Sequence, residues 1–238
     1  MAISIRRFPG QLFKWLWRLT LGWLALTLVV ILLLRYLDPP VWSWMLQREF
    51  NPPAGYPQQH RHQWLDLNQI SPAMQLAVVA AEDQRFPSHF GIDLNAIQDS
   101  VQASVNGKGL RGASTITQQT VKNLFLWQGK DWSRKILEAS LALLLELLWN
   151  KQRILEVYLN IVEFGPGIYG VGAAGAYWYQ TSAARLSPKQ AARLAAVLPN
   201  PWRYRAEPPS PYVAQRAEWI EQQMDQLGYI WLVPVTRR

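Results

Sequence analysis

Two glutamates stand on apolar stretches where an acid needs an explanation. Glu82 lies near the end of the segment that starts at Ser71-Pro72, four residues after Val78 and next to Ala81, so it projects beside an apolar face. Partial burial and the negative end of a helix dipole both favour its protonated form, and nearby cations oppose them. A carboxyl so placed is suited to general acid or base work; the plain alternative is an ion pair with Arg85. Glu138 shares a face with Ala142 and Leu145 on a Leu-rich stretch. A buried acid must be paired or functional, and Arg134, one turn earlier, is its ordinary partner. Two carboxylates on separate apolar helices are also the equipment of glycoside chemistry, where one moves a proton and the other stabilises charge.

A third constellation runs from Gly107 to Asn123: a glycine-rich loop with Lys108 and Arg111, then a Ser/Thr/Gln stretch with Thr115 and Gln119, then Lys122; Arg134 and Lys135 follow. This density of cations suits a phosphate or pyrophosphate, with a solvated basic loop as the bland alternative. No Gly-x-x-x-x-Gly-Lys-Ser/Thr frame makes it a Walker loop. The string Gly165-Pro166-Gly167-Ile168-Tyr169-Gly170 fits G-x-G-x-x-G, but it follows a helical pattern and lacks a downstream acid for a ribose. The three histidines, His60, His62 and His89, are not in a His-Glu-x-x-His setting, and His89 is read as fixing the loop after Glu82. The sequence has no Cys, and no Ser-x-x-Lys, Lys-Thr-Gly or Gly-x-Ser-x-Gly for a serine acyl-enzyme.

The elements that must position these residues are mainly helical. Ser71-Pro72, Ser187-Pro188 and Ser210-Pro211 each place a cap before an N1 proline and open helical patterns to about Phe86, Leu198 and Gly228. Arg134 to Trp149 and Lys151 to Val162 read as two more helices. Strand alternation is unconvincing, with at most a short hairpin around Gly107 to Ala113. A mainly α fold is expected, organised as an N-terminal segment 1–14, a membrane helix 15–37, a Pro-rich tether 38–57 and a domain 58–238.

The membrane helix follows from Leu19 to Leu34, which carries no charge; extended back to Trp15 it gives twenty residues, roughly 30 Å of helix. The segment lacks a small-residue cleavage pattern, so an anchor is expected over a signal peptide. Basic residues before the span and near-balance after it keep the N-terminus cytoplasmic and export the rest. Of the net +8, residues 1–38 contribute five bases against one acid. An exported domain of modest charge has no nucleic acid to meet. The stretch Val121 to Trp127, with Leu124, Phe125, Leu126 and Trp127 in a row, is the expected interfacial segment.

These residues also carry a resemblance. Glu82-Asp83-Gln84-Arg85-Phe86-Pro87-Ser88-His89-Phe90-Gly91 looks like the E-D-x-x-F-x-x-H-x-G motif of the peptidoglycan glycosyltransferases, family 51. Gly112 to Asn123 resembles the family's G-A-S-T-I-T-Q-Q-x-x-K-N. Arg134 to Glu138 matches R-K-x-x-E, Lys151 to Gly165 the K-x-x-I-L-E-x-Y-L-N block, and Leu194 to Pro201 the last motif. With 238 residues the chain is similar to the monofunctional biosynthetic enzymes rather than to those with a transpeptidase domain. The resemblance implies a lysozyme-like glycosyltransferase domain that polymerises lipid II, lengthens a lipid-linked glycan strand and releases undecaprenyl pyrophosphate at the bacterial inner membrane, facing the periplasm.

Carried over, Glu82 is similar to the family's general base and Glu138 to its second essential carboxylate. Thr115, Gln119, Lys122, Asn123, Arg134 and Lys135 match donor-side residues near the pyrophosphate, and His89, Lys108 and Arg111 join them as candidate substrate-binding residues. A divalent cation, Mg²⁺ or Mn²⁺, is expected with the pyrophosphate, and cell-wall synthesis or division proteins as partners. Two competing readings are a lytic murein hydrolase and an inactive lipid II-binding scaffold.

Overall fold

The N-terminal helix α1 (Pro9–Leu34) carries a 22-residue stretch, Phe13–Leu34, that is long and apolar enough to cross a membrane. It belongs to one compact unit, residues 1–39; a second unit spans 40–238. The computed structural model describes residues 9–106, 112–129 and 131–236. Lys108, Arg111 and most of the hairpin expected at 107–113 lie outside the described residues.

The second unit opens with α2 (Ser43–Phe50), inside the stretch expected to be a tether. Trp42 and Met45 are buried, and the Ser43 hydroxyl and the Gln47 amide both donate to the Leu126 carbonyl at 2.9 and 2.8 Å. The Gln47 side chain in turn accepts from the Gln128 amide at 2.6 Å. Residues 40–50 are therefore a wall of the domain, not a linker to it.

Helix α3 (Pro72–Glu82) starts as its sequence dictates, the Ser71 hydroxyl accepting from the Met74 amide at 3.1 Å with Pro72 in the first turn. It is buried from Ala73 through Ala80 and forms the axis of the core. It ends at Glu82, one turn short of the expected Phe86, because Asp83 leaves helical geometry to bond elsewhere. Then come α4 (Leu94–Val105), α5 (Ile116–Phe125), α6 (Trp132–Leu148), α7 (Lys151–Ile161), α8 (Gly170–Tyr179), α9 (Pro188–Val197) and α10 (Pro211–Leu227), with a short terminal α11 (Val233–Thr236). Asp93, Thr115, Asp131, Asn150, Ser187 and Ser210 each cap the following helix through a side-chain oxygen. The cores of α3, α9 and α10 pack together, as do α5, α6 and α7.

A small sheet, absent from the expectation, completes the domain. Its strands are β1 (Arg61–His62), β2 (Glu163–Gly165) and β3 (Ile168–Tyr169), in the order β1-β3-β2. Arg61 pairs with Ile168 and His62 with Tyr169 in parallel; β2 runs antiparallel to β3. The Gly-x-Gly-x-x-Gly string is thus the β2–β3 hairpin and the start of α8, and it does follow a strand. Gly167 turns at φ 68° against Pro57, and a Cβ on Gly170 would come within 2.5 Å of the Asn160 carbonyl. These glycines serve chain packing.

Candidate active site

Helix α5 brings most of the site together. Asp83 accepts from the Ile116 amide at 2.9 Å, tying the end of α3 to the first turn of α5, and His89 Nε2 holds the same carboxylate at 2.9 Å. Thr115 caps α5 and donates its hydroxyl to the Gly91 carbonyl at 2.6 Å. Gly91 has a φ of 73°, and a Cβ there would meet the Ala142 carbonyl at 2.9 Å, so the E-D-x-x-F-x-x-H-x-G segment is seated directly on α6. His89 and Thr115 accordingly act as framework for the neighbouring acids. Thr117 donates to Glu146 at 2.6 Å and Glu146 pairs with Lys151, pinning α5 to α6 and α7.

With α5 fixed, Gln119, Lys122 and Asn123 fall on one face at i, i+3 and i+4. They line a cleft of about 310 Å³ whose other walls are Trp44 and Arg48 of α2, Val162 and Glu163, and the Leu198–Trp202 turn. The Gln119 amide donates to Glu82 Oε2 at 2.7 Å, and its carbonyl accepts from the buried Tyr158 hydroxyl at 3.2 Å. Burial pushes the Glu82 carboxyl above the ordinary range; the Gln119 hydrogen bond, Arg216 and Lys122 act against that rise. Arg85 does not pair with Glu82; it reaches Asp93 and Asp99 at 2.7 and 3.1 Å.

Glu138 is 3% exposed and is gripped by both cations of its own helix. Arg134 Nη1 donates to one oxygen at 2.9 Å and the Lys135 ammonium to the other; Lys135 also reaches the Ser114 hydroxyl at 3.2 Å. Lys122 stands between the two acids electrostatically. Burial lowers its proton affinity, the Glu138 and Glu82 charges raise it, and Arg134 and Lys135 lower it again. The site therefore has a lightly held carboxylate with a raised pKa, a fully paired carboxylate, and three cations around them.

Sequence reasoning brought Glu82, Gln119, Lys122, Asn123, Arg134, Lys135 and Glu138 to this place, and it left out Asp83, Tyr158 and the α2 side of the cleft. Asp83 and Tyr158 lie within the motifs that carry the resemblance; Trp44 and Arg48 lie in a Pro-flanked stretch with no local sign of a cleft wall. In the expected interfacial stretch Val121, Leu124 and Leu126 are buried in the core, whereas Phe125 is half-buried and Trp127 is 47% exposed. Among the described residues no three His, Cys, Asp or Glu side chains cluster as metal ligands, and Glu138 is already occupied by two cations. The described residues do not make a resident metal cage.

Similar proteins cover nearly the whole chain. Biosynthetic peptidoglycan transglycosylases from Shewanella oneidensis and Aeromonas hydrophila are each 53% identical, over 94% and 93% of this chain and 96% and 94% of their own lengths. One from Vibrio parahaemolyticus is 48% identical over 96% of this chain and all of its own. Residues 50–225 match the transglycosylase family model, and with these relatives spanning nearly the whole sequence the chain belongs to the transglycosylase family.

Proposed function

We propose that this chain is a peptidoglycan glycosyltransferase that joins lipid II units into glycan strands and releases undecaprenyl pyrophosphate. Its lysozyme-like, mainly helical domain suits glycan work, but the observation that carries the reading is the division of labour between the two acids. Glu82, desolvated and held by one amide, is the general base that takes the proton from the acceptor 4-hydroxyl as that oxygen attacks the donor's anomeric carbon with inversion. Glu138 is not free to move a proton; it fixes Arg134 and Lys135, and with Lys122 these hold the pyrophosphate as charge develops on it. A pyrophosphate leaves without a general acid once its charge is neutralised, whereas a hydrolase must protonate the glycosidic oxygen that departs as a sugar hydroxyl. A divalent cation would enter on the pyrophosphate oxygens and supply further charge neutralisation there.

The chain acts at a bacterial inner membrane on this reading, anchored by α1 with the N-terminus cytoplasmic and the domain periplasmic. Lipid contact by the domain is assigned chiefly to α4. Leu94, Ile97, Val101 and Val105 form one stripe, 74%, 40%, 53% and 81% exposed, on a helix of which only Ser100 is buried. The test is incubation of the full chain with lipid II and Mg²⁺, followed by gel analysis of glycan length. Polymer is expected from the wild type, and Glu82→Gln should lose about 10²–10⁴-fold in rate. Cleavage of preformed glycan without polymerisation would assign the site to a hydrolase instead.

A further inference from the structure

The cleft holds one charge that the transfer chemistry leaves unused. Arg48, in the last turn of α2, lines it with Lys122 and Asn123. Its guanidinium carbon lies over the rings of both Trp44 and Trp202, 4.9 Å from each centre. Two cation–π contacts hold the group in place without using its N–H donors.

Arg48 forms a long ion pair with Glu163, but that pairing leaves its N–H donors uncommitted. The Glu163 carboxylate is 3.7 Å from Arg48 Nε, beyond hydrogen-bond reach. That carboxylate already accepts from Trp44 Nε1 at 3.2 Å, Trp202 Nε1 at 3.0 Å and the Gly167 amide at 3.2 Å. Arg48 Nε is buried with no hydrogen bond, and among the described residues its terminal nitrogens have no protein acceptor. The side chain is 17% exposed, and that surface faces the cleft. Lys122 lies over the same Trp44 ring at 5.8 Å, so one indole carries a cation from α5 and a cation from α2. A guanidinium braced by aromatic rings with idle donors is a fork for a carboxylate or phosphate, which accept two N–H groups in one plane.

We infer that Arg48 is a second anion subsite of the cleft, distinct from the Arg134–Lys135 pair, and binds an acidic group of the sugar substrate through a carboxylate or phosphate oxygen. The inference rests on the glycosyl-transfer reading and adds to it a specificity determinant carried by α2. The acidic group is either a carboxylate of the peptide stem on the substrate or a phosphate oxygen of its lipid link.

The experiment measures polymerisation by the full chain and by Arg48→Met, which keeps the aliphatic stem, with lipid II whose peptide carboxylates are free or amidated. KM for the free form should rise about tenfold in Arg48→Met with kcat within about twofold. If amidation raises the wild-type KM to match and leaves the variant unmoved, the ligand is the carboxylate. If amidation changes neither and inhibition by inorganic pyrophosphate weakens in the variant, it is the phosphate. An unchanged KM, or a loss confined to kcat, overturns the inference. So does an equal KM rise in Arg48→Lys accompanied by an equal fall in melting temperature in both variants, which marks a packing role. A wild type that makes no polymer sinks the transfer reading alone. Calorimetry with inorganic pyrophosphate and with the lipid-free disaccharide-peptide then still decides Arg48, because Arg48→Met must weaken one of them about tenfold, and equal binding of both overturns the subsite.

Discussion

The Glu82 carboxylate accepts one hydrogen bond, from a neutral amide, while the Glu138 carboxylate takes a guanidinium on one oxygen and an ammonium on the other. The two acids therefore respond to neutralisation with opposite sign. Glu82 binds its proton more tightly folded than unfolded, so the native state loses stability as pH rises from the ordinary carboxylate range through the raised folded value. Glu82→Gln should thus melt higher than the wild type at neutral pH, with a gap that closes toward about pH 4. Glu138→Gln removes the counter-charge of the buried Arg134; breaking such a pair costs about 3–5 kcal/mol, the lower end applying here because Lys135 is half-exposed, and the melting temperature should fall. Melting curves of both variants across that pH range check the pair of signs. Tyr158 acts one step further out. Its hydroxyl, which burial keeps protonated, donates to the Gln119 carbonyl and so obliges the amide to present N–H to Glu82. Tyr158→Phe frees the amide to turn, and loss of about 1 kcal/mol of support for the ionised base should move the acid limb of the kcat/KM profile up by roughly 0.7 pH unit.

At the scale of elements, legibility followed range. Helices whose starts are local chemistry, such as Ser71-Pro72, Ser187-Pro188 and Ser210-Pro211, stand where their caps put them. The strands escaped notice because two or three residues cannot display alternation, and Glu163–Gly165 is buried on both faces. Helix α2 escaped because prolines bracket it and its reason to exist is distant: Ser43 and Gln47 bond to residues 126 and 128, and Trp44 to Glu163. Among site residues, the two acids were readable as misfits on apolar faces, whereas Asp83 was hidden beside Glu82 and declares itself only through the Ile116 amide. Truncation makes α2's membership measurable. A chain starting at Pro40 should fold cooperatively; one starting at Pro53 loses the buried Trp42 and Met45 and should melt markedly lower, since each buried large apolar side chain contributes about 1.5–3 kcal/mol.

For the whole molecule, the apolar excess of the composition divides between the Phe13–Leu34 stretch and exposed stripes such as that of α4. In vesicle co-sedimentation of the chain starting at Pro40, Leu94→Ser with Val101→Ser should lower partitioning at least about tenfold, from the apolar area withheld from lipid. Leu124→Ser, at a buried position, should instead lower the melting temperature and leave partitioning per folded molecule unchanged. The Glu163 carboxylate joins Trp44 near the start of the domain to Gly167 and Trp202 near its end. Synthesis proceeds from the first of these toward the last, so a ribosome must add more than a hundred and fifty residues after Trp44 before the cleft can close around its fourth wall. A nascent chain that stops short of Trp202 consequently lacks that wall and leaves Glu163 without one of its indole donors.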